Sequence, residues 1–331
     1  MVSTSSEEHG APSVDDTLTQ DDYDEFALLH ENASEWGLPT NAEVVVSRES
    51  ADVGPGQPLS YLSWGSAEPE LVLLHGGGQN AHTWDTVALA LGRPLVAIDL
   101  PGHGRSYRRD DRDYGPWRNV EALAQVLPTI APSAAAVVGM SLGGATTIRL
   151  AAERPDLCRK AVIVDVTPQI NDPSRELTTM ERGSVSLIGG PPTYESFDEM
   201  AEAAIALSPH RAASGVRRGV RHNASRLANG RWTWRYDLFG PRQPAAGEDG
   251  ATWADFTPLW DDVARINVPT MFLRGGLSPF VRDEDVAGMR DRLPALRVET
   301  VEGAGHAIQS DQPLELVRLV EDFVFSGVRR V

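Results

Sequence analysis

Apolar residues along this chain fall into short unbroken runs, separated by segments with helical spacing. The runs predict strands at Val44–Ser47, Leu59–Trp64, Leu71–His75, Leu95–Leu100, Ala135–Met140, Ala161–Val166, Thr270–Arg274 and Arg297–Val301. From Leu71 onward they are mostly continuous, as in parallel strands covered on both faces. Helical spacing predicts Thr83–Leu91, Val120–Leu127, Leu142–Glu153, Asp283–Leu293 and Pro313–Phe325. In the last of these, Leu316, Val320, Phe323 and Val324 share one face, with Glu315, Arg318 and Asp322 opposite, and Pro313 suits a helix start. Strand–helix alternation predicts an α/β chain with a mainly parallel sheet and right-handed crossovers. The interval from Thr167 to Ile266 breaks the rhythm. It is too long for an ordinary connection and is expected to carry its own structure. It holds a helix pattern at Phe197–Leu207, with Met200, Ala204 and Leu207 on one stripe, and an Arg-rich one at Ala212–Leu227.

The length, 331 residues, suits one α/β domain with an insertion and suffices for a core without staples. The single cysteine, Cys158, forbids an internal disulfide and reads as a packed small residue. No apolar stretch approaches the ~20 residues of a membrane span. The N-terminus lacks the basic-then-apolar pattern of a secretory signal. A soluble, cytoplasmic protein is expected. The net charge of −17 is unevenly placed: residues 1–47 carry eleven acidic residues and no Lys or Arg, which leaves −6 for the rest. Residues 1–40 are therefore expected to form an acidic leader, disordered over its first part, with a short helix around Asp21–Glu35. Residues 1 to about 25 are expected to be dispensable, and a chain starting near Asn41 to fold. No basic patch points to nucleic acid, and no membrane partner is expected. The oligomeric state is left open.

Gly139-Met140-Ser141-Leu142-Gly143 has the form Gly-x-Ser-x-Gly between a strand run and a helix pattern. In that setting the serine takes strained backbone angles and its hydroxyl stands clear of the sheet, above a helix N-terminus. Three further segments follow predicted strands: His75-Gly76-Gly77-Gly78, Asp99-Leu100-Pro101-Gly102-His103-Gly104-Arg105-Ser106 and Gly303-Ala304-Gly305-His306. Together, and in this order, the four motifs resemble the α/β-hydrolase superfamily over about residues 44–331. The resemblance implies a mostly parallel eight-stranded sheet flanked by helices. Residues 41–166 and 267–331 would form the core, and 167–266 a helical lid between the sixth and seventh strands. Such lids exclude water and shape a pocket.

Acyl chemistry needs a nucleophile, a base, a group orienting the base, and oxyanion donors. Ser141 is the candidate nucleophile and His306, on its glycine-flanked loop, the candidate base. His75 and His103 are read as braces of their own loops. The family often places its acid two residues past a glycine after the seventh strand, where this chain has Ser278. Asp165, at the C-terminal end of the sixth predicted strand, is the candidate acid, as in a minority of the family. Asp283 and Asp285 remain alternatives, although helix capping also accounts for them. The backbone N–H groups of Leu142 and Gly77, with Gly78 as alternative, are the candidate oxyanion donors. Asp99 is assigned to the loop after the fourth strand. Arg217, Arg218, Arg221, Arg231 and Arg235, with Trp232 and Trp234, form either a carboxylate-binding pocket mouth or a solvated basic face.

The expected activity is attack on an ester, lactone, amide or activated C–C carbonyl of a small molecule through an acyl-enzyme. No cofactor and no metal is expected. A serine at the elbow argues against the family's dehalogenases and epoxide hydrolases, which use a carboxylate there. Two other classes stay open: a non-hydrolytic enzyme on the same fold (a cofactor-free oxygenase, lyase or haloperoxidase-like member), and a ligand receptor that retains the triad. Fold alone does not separate these.

Overall fold

Along β3 (Leu71–Leu74), Leu71 and Leu73 join one buried cluster while Val72 and Leu74 join another. A strand alternates its side chains between two faces, so both faces of this one are covered, as the continuous apolar run predicts. The structure is a computed structural model that describes residues 23–39, 44–170, 191–237 and 255–326. Residues 1–22 of the expected leader, and 171–190 and 238–254 of the expected lid, lie outside the described residues.

Eight strands make the main sheet, in spatial order β1 (Val46–Gly54), β2 (Gln57–Trp64), β4 (Leu95–Ile98), β3, β5 (Ala136–Met140), β6 (Ala161–Val164), β9 (Thr270–Gly275) and β10 (Arg297–Val301). β1 pairs antiparallel with β2, and β2 with β4; every other pairing is parallel. The apolar run at Val44–Ser47 marks only the start of β1. Its continuation through Glu49 and Asp52 is half-exposed edge strand, specified by pairing to β2 and not by hydrophobicity.

Two clusters sandwich the sheet. One includes Val120, Leu123 and Leu127 of α3 (Pro116–Ile130), Ile148 of α4 (Leu142–Glu153), Leu259 and Val263 of α7 (Leu259–Arg265), and Met289 of α8 (Asp283–Arg292). The other includes Val87 and Leu91 of α2 (Asp85–Leu91) and Leu316 and Val320 of α10 (Pro313–Phe325). Removing each such side chain from water contributes about 1.5–3 kcal/mol.

Between β6 and β9 lie α5 (Phe197–Ala206), α6 (Ala213–Asn223) and a two-stranded hairpin of β7 (Ala224–Arg226) and β8 (Trp232–Trp234), followed by α7. The hairpin is where this segment departs from an all-helical expectation. Alternating Trp232, Thr233 and Trp234 suit a strand, and Asn229-Gly230 a turn with positive φ at the glycine. Met200, Ala204, Val220, Trp234 and Tyr236 build a small core of its own. Asp237 ties it down, accepting from Arg112 Nη2 and Tyr114 Oη at 2.6 Å each, while its N–H donates to the Gly102 carbonyl.

Residues 23–39 hold the short helix expected around Asp21–Glu35, and they pack against the rest of the chain. α1 (Leu29–Glu35) buries Leu29 and Ala33. Glu25 accepts from Arg48 at 2.7 Å, and Arg218, itself buried, donates to Glu31 and Glu35 at 3.1 and 2.7 Å. Glu25, Glu31 and Glu35 are thus paired with Arg48 of β1 and Arg218 of α6, while Asp24 accepts the Phe26 N–H. A chain starting near Asn41 would leave Arg48 and Arg218 without these partners. Among the described residues, no helix is long and apolar enough to cross a membrane.

Candidate active site

Ser141 joins β5 to α4 with φ 51° and ψ −114°, a positive φ that a non-glycine residue adopts only at a cost. The flanking glycines are required by space. A Cβ on Gly139 would strike the Gly143 carbonyl, and one on Gly143 the carbonyls of Leu74 and His75. The turn after β3 stands against the elbow: a Cβ on Gly76 would lie 3.3 Å from that of Ser141, and the Gly143 N–H donates to His75 O at 3.0 Å.

Asp165 follows β6 directly and is fully buried, with φ 51°. One carboxylate oxygen accepts from the Gly275 N–H at 2.8 Å. The other accepts from Ser278 Oγ at 2.5 Å and faces His306 Nδ1 at 2.8 Å. The loop holding His306 packs on the end of β9, since a Cβ on Gly275 would strike the Gly305 carbonyl. Phe280 lies against the His306 ring at 4.7 Å between centroids. With Nδ1 committed to Asp165, the other ring nitrogen, Nε2, is buried and has no hydrogen-bond partner among the described residues. Asp165 accordingly holds the tautomer that leaves Nε2 a free acceptor.

Asp283 and Asp285 are engaged elsewhere. Asp283 pairs with Arg274, and Asp285 accepts the Arg282 N–H at 2.8 Å at the start of α8. Ser278, conspicuous in the sequence only as a missing acid, is a donor to the acid supplied by the neighbouring strand. In the glycine turn, the Gly76 N–H donates to Gln79 and the Gly78 N–H to His103 Nε2. That leaves Gly77 as the turn amide without a hydrogen bond among the described residues, at a half-buried position. Leu142 opens α4, so its N–H has no intrahelical acceptor.

His75 and His103 brace loops. His75 bonds Gly76 O through Nδ1 and accepts the Leu100 N–H through Nε2; His103 bonds Pro101 O through Nδ1. Burial pushes His103 down to about 3, so it stays neutral. Asp99 accepts from Arg48 at 2.6 Å and from the Ala81 and Arg105 N–H groups, which fixes the loop after β4. Cys158 is buried, and burial pushes its thiol up to about 12. The arginines of the insertion divide between the two readings: Arg217 and Arg231 lie at the surface in ion pairs with exposed acids, and Arg218 is buried. Arg217 pairs with Asp198, Arg218 with α1, and Arg231 with Glu195, while Arg221 lies over the Tyr23, Phe197 and Trp232 rings.

The residues 71–319 match the model of the alpha/beta hydrolase family. The chain belongs to that family. Esterase Rv0045c of Mycobacterium tuberculosis is 48% identical over 92% of this chain and 97% of its own length. A solved structure of that esterase, reported with its transition metal inhibition, superposes with a TM-score of 0.78 at 47% identity, over 91% of this chain and 98% of that one. The sn-1-specific diacylglycerol lipase ABHD11 of Mus musculus is 28% identical over 84% of this chain and 88% of its own length. This alpha/beta hydrolase is an enzyme similar to carboxylic ester hydrolases. A cavity of about 590 Å³ borders its glycine turn and the loop after β10, lined by Gly78, Gln79, Thr83, Leu277 and Gln309 among others. Neither Ser141 nor His306 lines it.

Proposed function

We propose that the chain hydrolyses esters of small carboxylic acids through an acyl-enzyme on Ser141. One observation carries the reading: a buried carboxylate–imidazole pair, Asp165 to His306 at 2.8 Å, leaves Nε2 unpartnered in a fold whose strained elbow presents Ser141. The esterase and lipase names of the relatives favour esters over the lactones, amides and C–C carbonyls that the motifs equally admit.

Ser141 Oγ attacks the carbonyl carbon while its proton passes to His306 Nε2. The carbonyl π pair moves onto oxygen, where the N–H groups of Gly77 and Leu142 and the N-terminus of α4 receive the charge. Asp165 stabilises the imidazolium and itself stays ionised. As the oxyanion collapses, the C–O bond breaks and the alcohol leaves with the proton from Nε2. Water then repeats the cycle on the acyl group, releasing the acid and Ser141.

The segment between β6 and β9 acts as the lid. Asn223, at the end of α6, donates to Gly78 O at 2.5 Å, and Asn80 donates to His222 O at 3.0 Å. The lid thereby rests on the oxyanion turn, and substrate choice is set there. A fluorophosphonate probe tests the nucleophile: one label per chain on Ser141, absent in Ser141→Ala, is expected. Labelling that persists in the variant would falsify the assignment.

A further inference from the structure

His82, Asp85 and His222 come from distant parts of the chain and meet at the inner wall of the cavity. His82 lies in the 3₁₀ turn Ala81–Trp84, Asp85 opens α2, and His222 lies in the last turn of α6. All three are more than nine-tenths buried, and one donor atom from each lies within 4.8 Å of the others. Asp85 Oδ2 stands 2.9 Å from His82 Nδ1 and 3.8 Å from His222 Nε2. These separations bracket the ~3.3 Å between neighbouring ligands of a tetrahedral ion with bonds near 2.0–2.1 Å. Asp85 Oδ1 is buried with no hydrogen-bond partner among the described residues, an acceptor left open within the cluster.

The nitrogens that would not ligate are also held. His82 Nε2 lies 3.0 Å from Glu25 Oε2, and His222 Nδ1 lies 2.5 Å from Tyr23 Oη. An oxygen behind each histidine is the outer arrangement that orients imidazoles toward a metal. Two imidazoles and one carboxylate suit borderline transition ions better than Mg²⁺ or Ca²⁺, which take oxygen ligands.

We propose that His82, Asp85 and His222 bind one divalent transition-metal ion of the Zn²⁺ class, with Glu25 and Tyr23 positioning the two imidazoles. The rings now stack at 4.0 Å with 14° between planes, and ligation tilts them so that their lone pairs converge. The ion adds a link between α6 of the insertion and the start of α2, beside the bonds that already tie α6 to Asn80 and to the N-terminal segment. Because Asn80 and Asn223 tie that end of α6 to the turn at Gly78, occupancy fixes the insertion on the turn that carries Gly77.

The test uses the full chain after chelator treatment, titrated with Co²⁺ and followed by its visible ligand-field absorption, and with Zn²⁺ followed by thermal unfolding. One ion per chain, a four-coordinate Co²⁺ spectrum and a raised Tm are expected. Affinity should fall at least tenfold in Asp85→Asn and in His222→Gln, and by ten- to a hundredfold in Glu25→Gln. Absence of saturable binding, or Asp85→Asn and His222→Gln binding as the parent does, overturns the site. A measurement on the parent needs no variant to fold: the ring ¹⁵N signals of His82 and His222 should move on Zn²⁺ addition while those of His75 and His103 stay. Movement of His306 with His82 and His222 unchanged would place the ion at the catalytic pair and overturn it equally.

Discussion

Asparagine at position 165 keeps the shape of the acid and removes its charge and one acceptor edge. In the parent, the carboxylate accepts from Gly275 N–H, Ser278 Oγ and the His306 ring, all in full burial. The amide oxygen can keep only one side of this set. If it keeps the backbone N–H of Gly275, which cannot reverse, the NH₂ group faces Ser278 and His306. The hydroxyl can turn to accept, but His306 must offer the Nδ1 lone pair and carry its proton on Nε2. That tautomer cannot take the proton of Ser141. The expected loss in kcat is about ten-thousandfold, the scale seen when a triad acid is neutralised, or ~5.5 kcal/mol of barrier at 1.36 kcal/mol per decade. The loss in stability is far smaller. Three charge-assisted hydrogen bonds become neutral ones, a difference of about 1 kcal/mol each at most. Hydrolysis of a short p-nitrophenyl ester, with urea unfolding in parallel, separates the two effects. Asp283→Asn and Asp285→Asn serve as controls, since both carboxylates face other groups. A loss in Asp165→Asn below tenfold, or one matched by either control, refutes the assignment.

The other predictions probe what supports this site. Ser278→Ala should cost about 1–3 kcal/mol of stability, the worth of a hydroxyl bonded to a buried carboxylate, and lower kcat far less than Asp165→Asn; equal losses would make Ser278 a reacting group. A chain starting at Asn41 should lose several kcal/mol in chemical unfolding against one starting at Tyr23, because Arg218 loses Glu31 and Glu35 and the buried Leu29 and Ala33 are removed with α1; equal midpoints and slopes would show that residues 23–40 contribute nothing. For His103, burial lowers the folded value to about 3 against 6.5 unfolded, so below pH 6.5 the unfolded chain binds a proton that the folded one refuses. Its contribution to stability falls by about 1.4 kcal/mol per unit as pH drops from 6.5 toward 3. His103→Gln should flatten that slope in urea titrations between pH 6.5 and 5, and an unchanged slope would contradict it.

What the sequence made legible follows from how local each signal is. The elbow, the buried strands and the helices Leu142–Glu153 and Pro313–Phe325 are written in neighbouring residues, because their physics is that of one turn or one apolar face. β1 beyond Ser47 was not legible, since an exposed edge strand owes its existence to a partner and not to its own pattern. The same holds for the carboxylate that faces His306. Asp165 could be weighed against Asp283 and Asp285 by position, but only contact shows that the Ser278 hydroxyl and the Gly275 amide both turn toward the end of β6. Composition predicts an acidic leader with a short helix around Asp21–Glu35. Composition counts charges but does not say which cations they meet, and Glu25, Glu31 and Glu35 meet Arg48 and Arg218. The cluster of His82, Asp85 and His222 was invisible for a related reason. Only the first two are close in sequence, and the third arrives on α6, in an insertion whose docking no local pattern encodes. Nucleophile motifs advertise themselves because backbone strain demands particular neighbours. A metal site assembled from separate elements makes no such demand, and its traces appear only in space: three donor atoms brought within 4.8 Å, and Asp85 Oδ1 buried without a partner among the described residues.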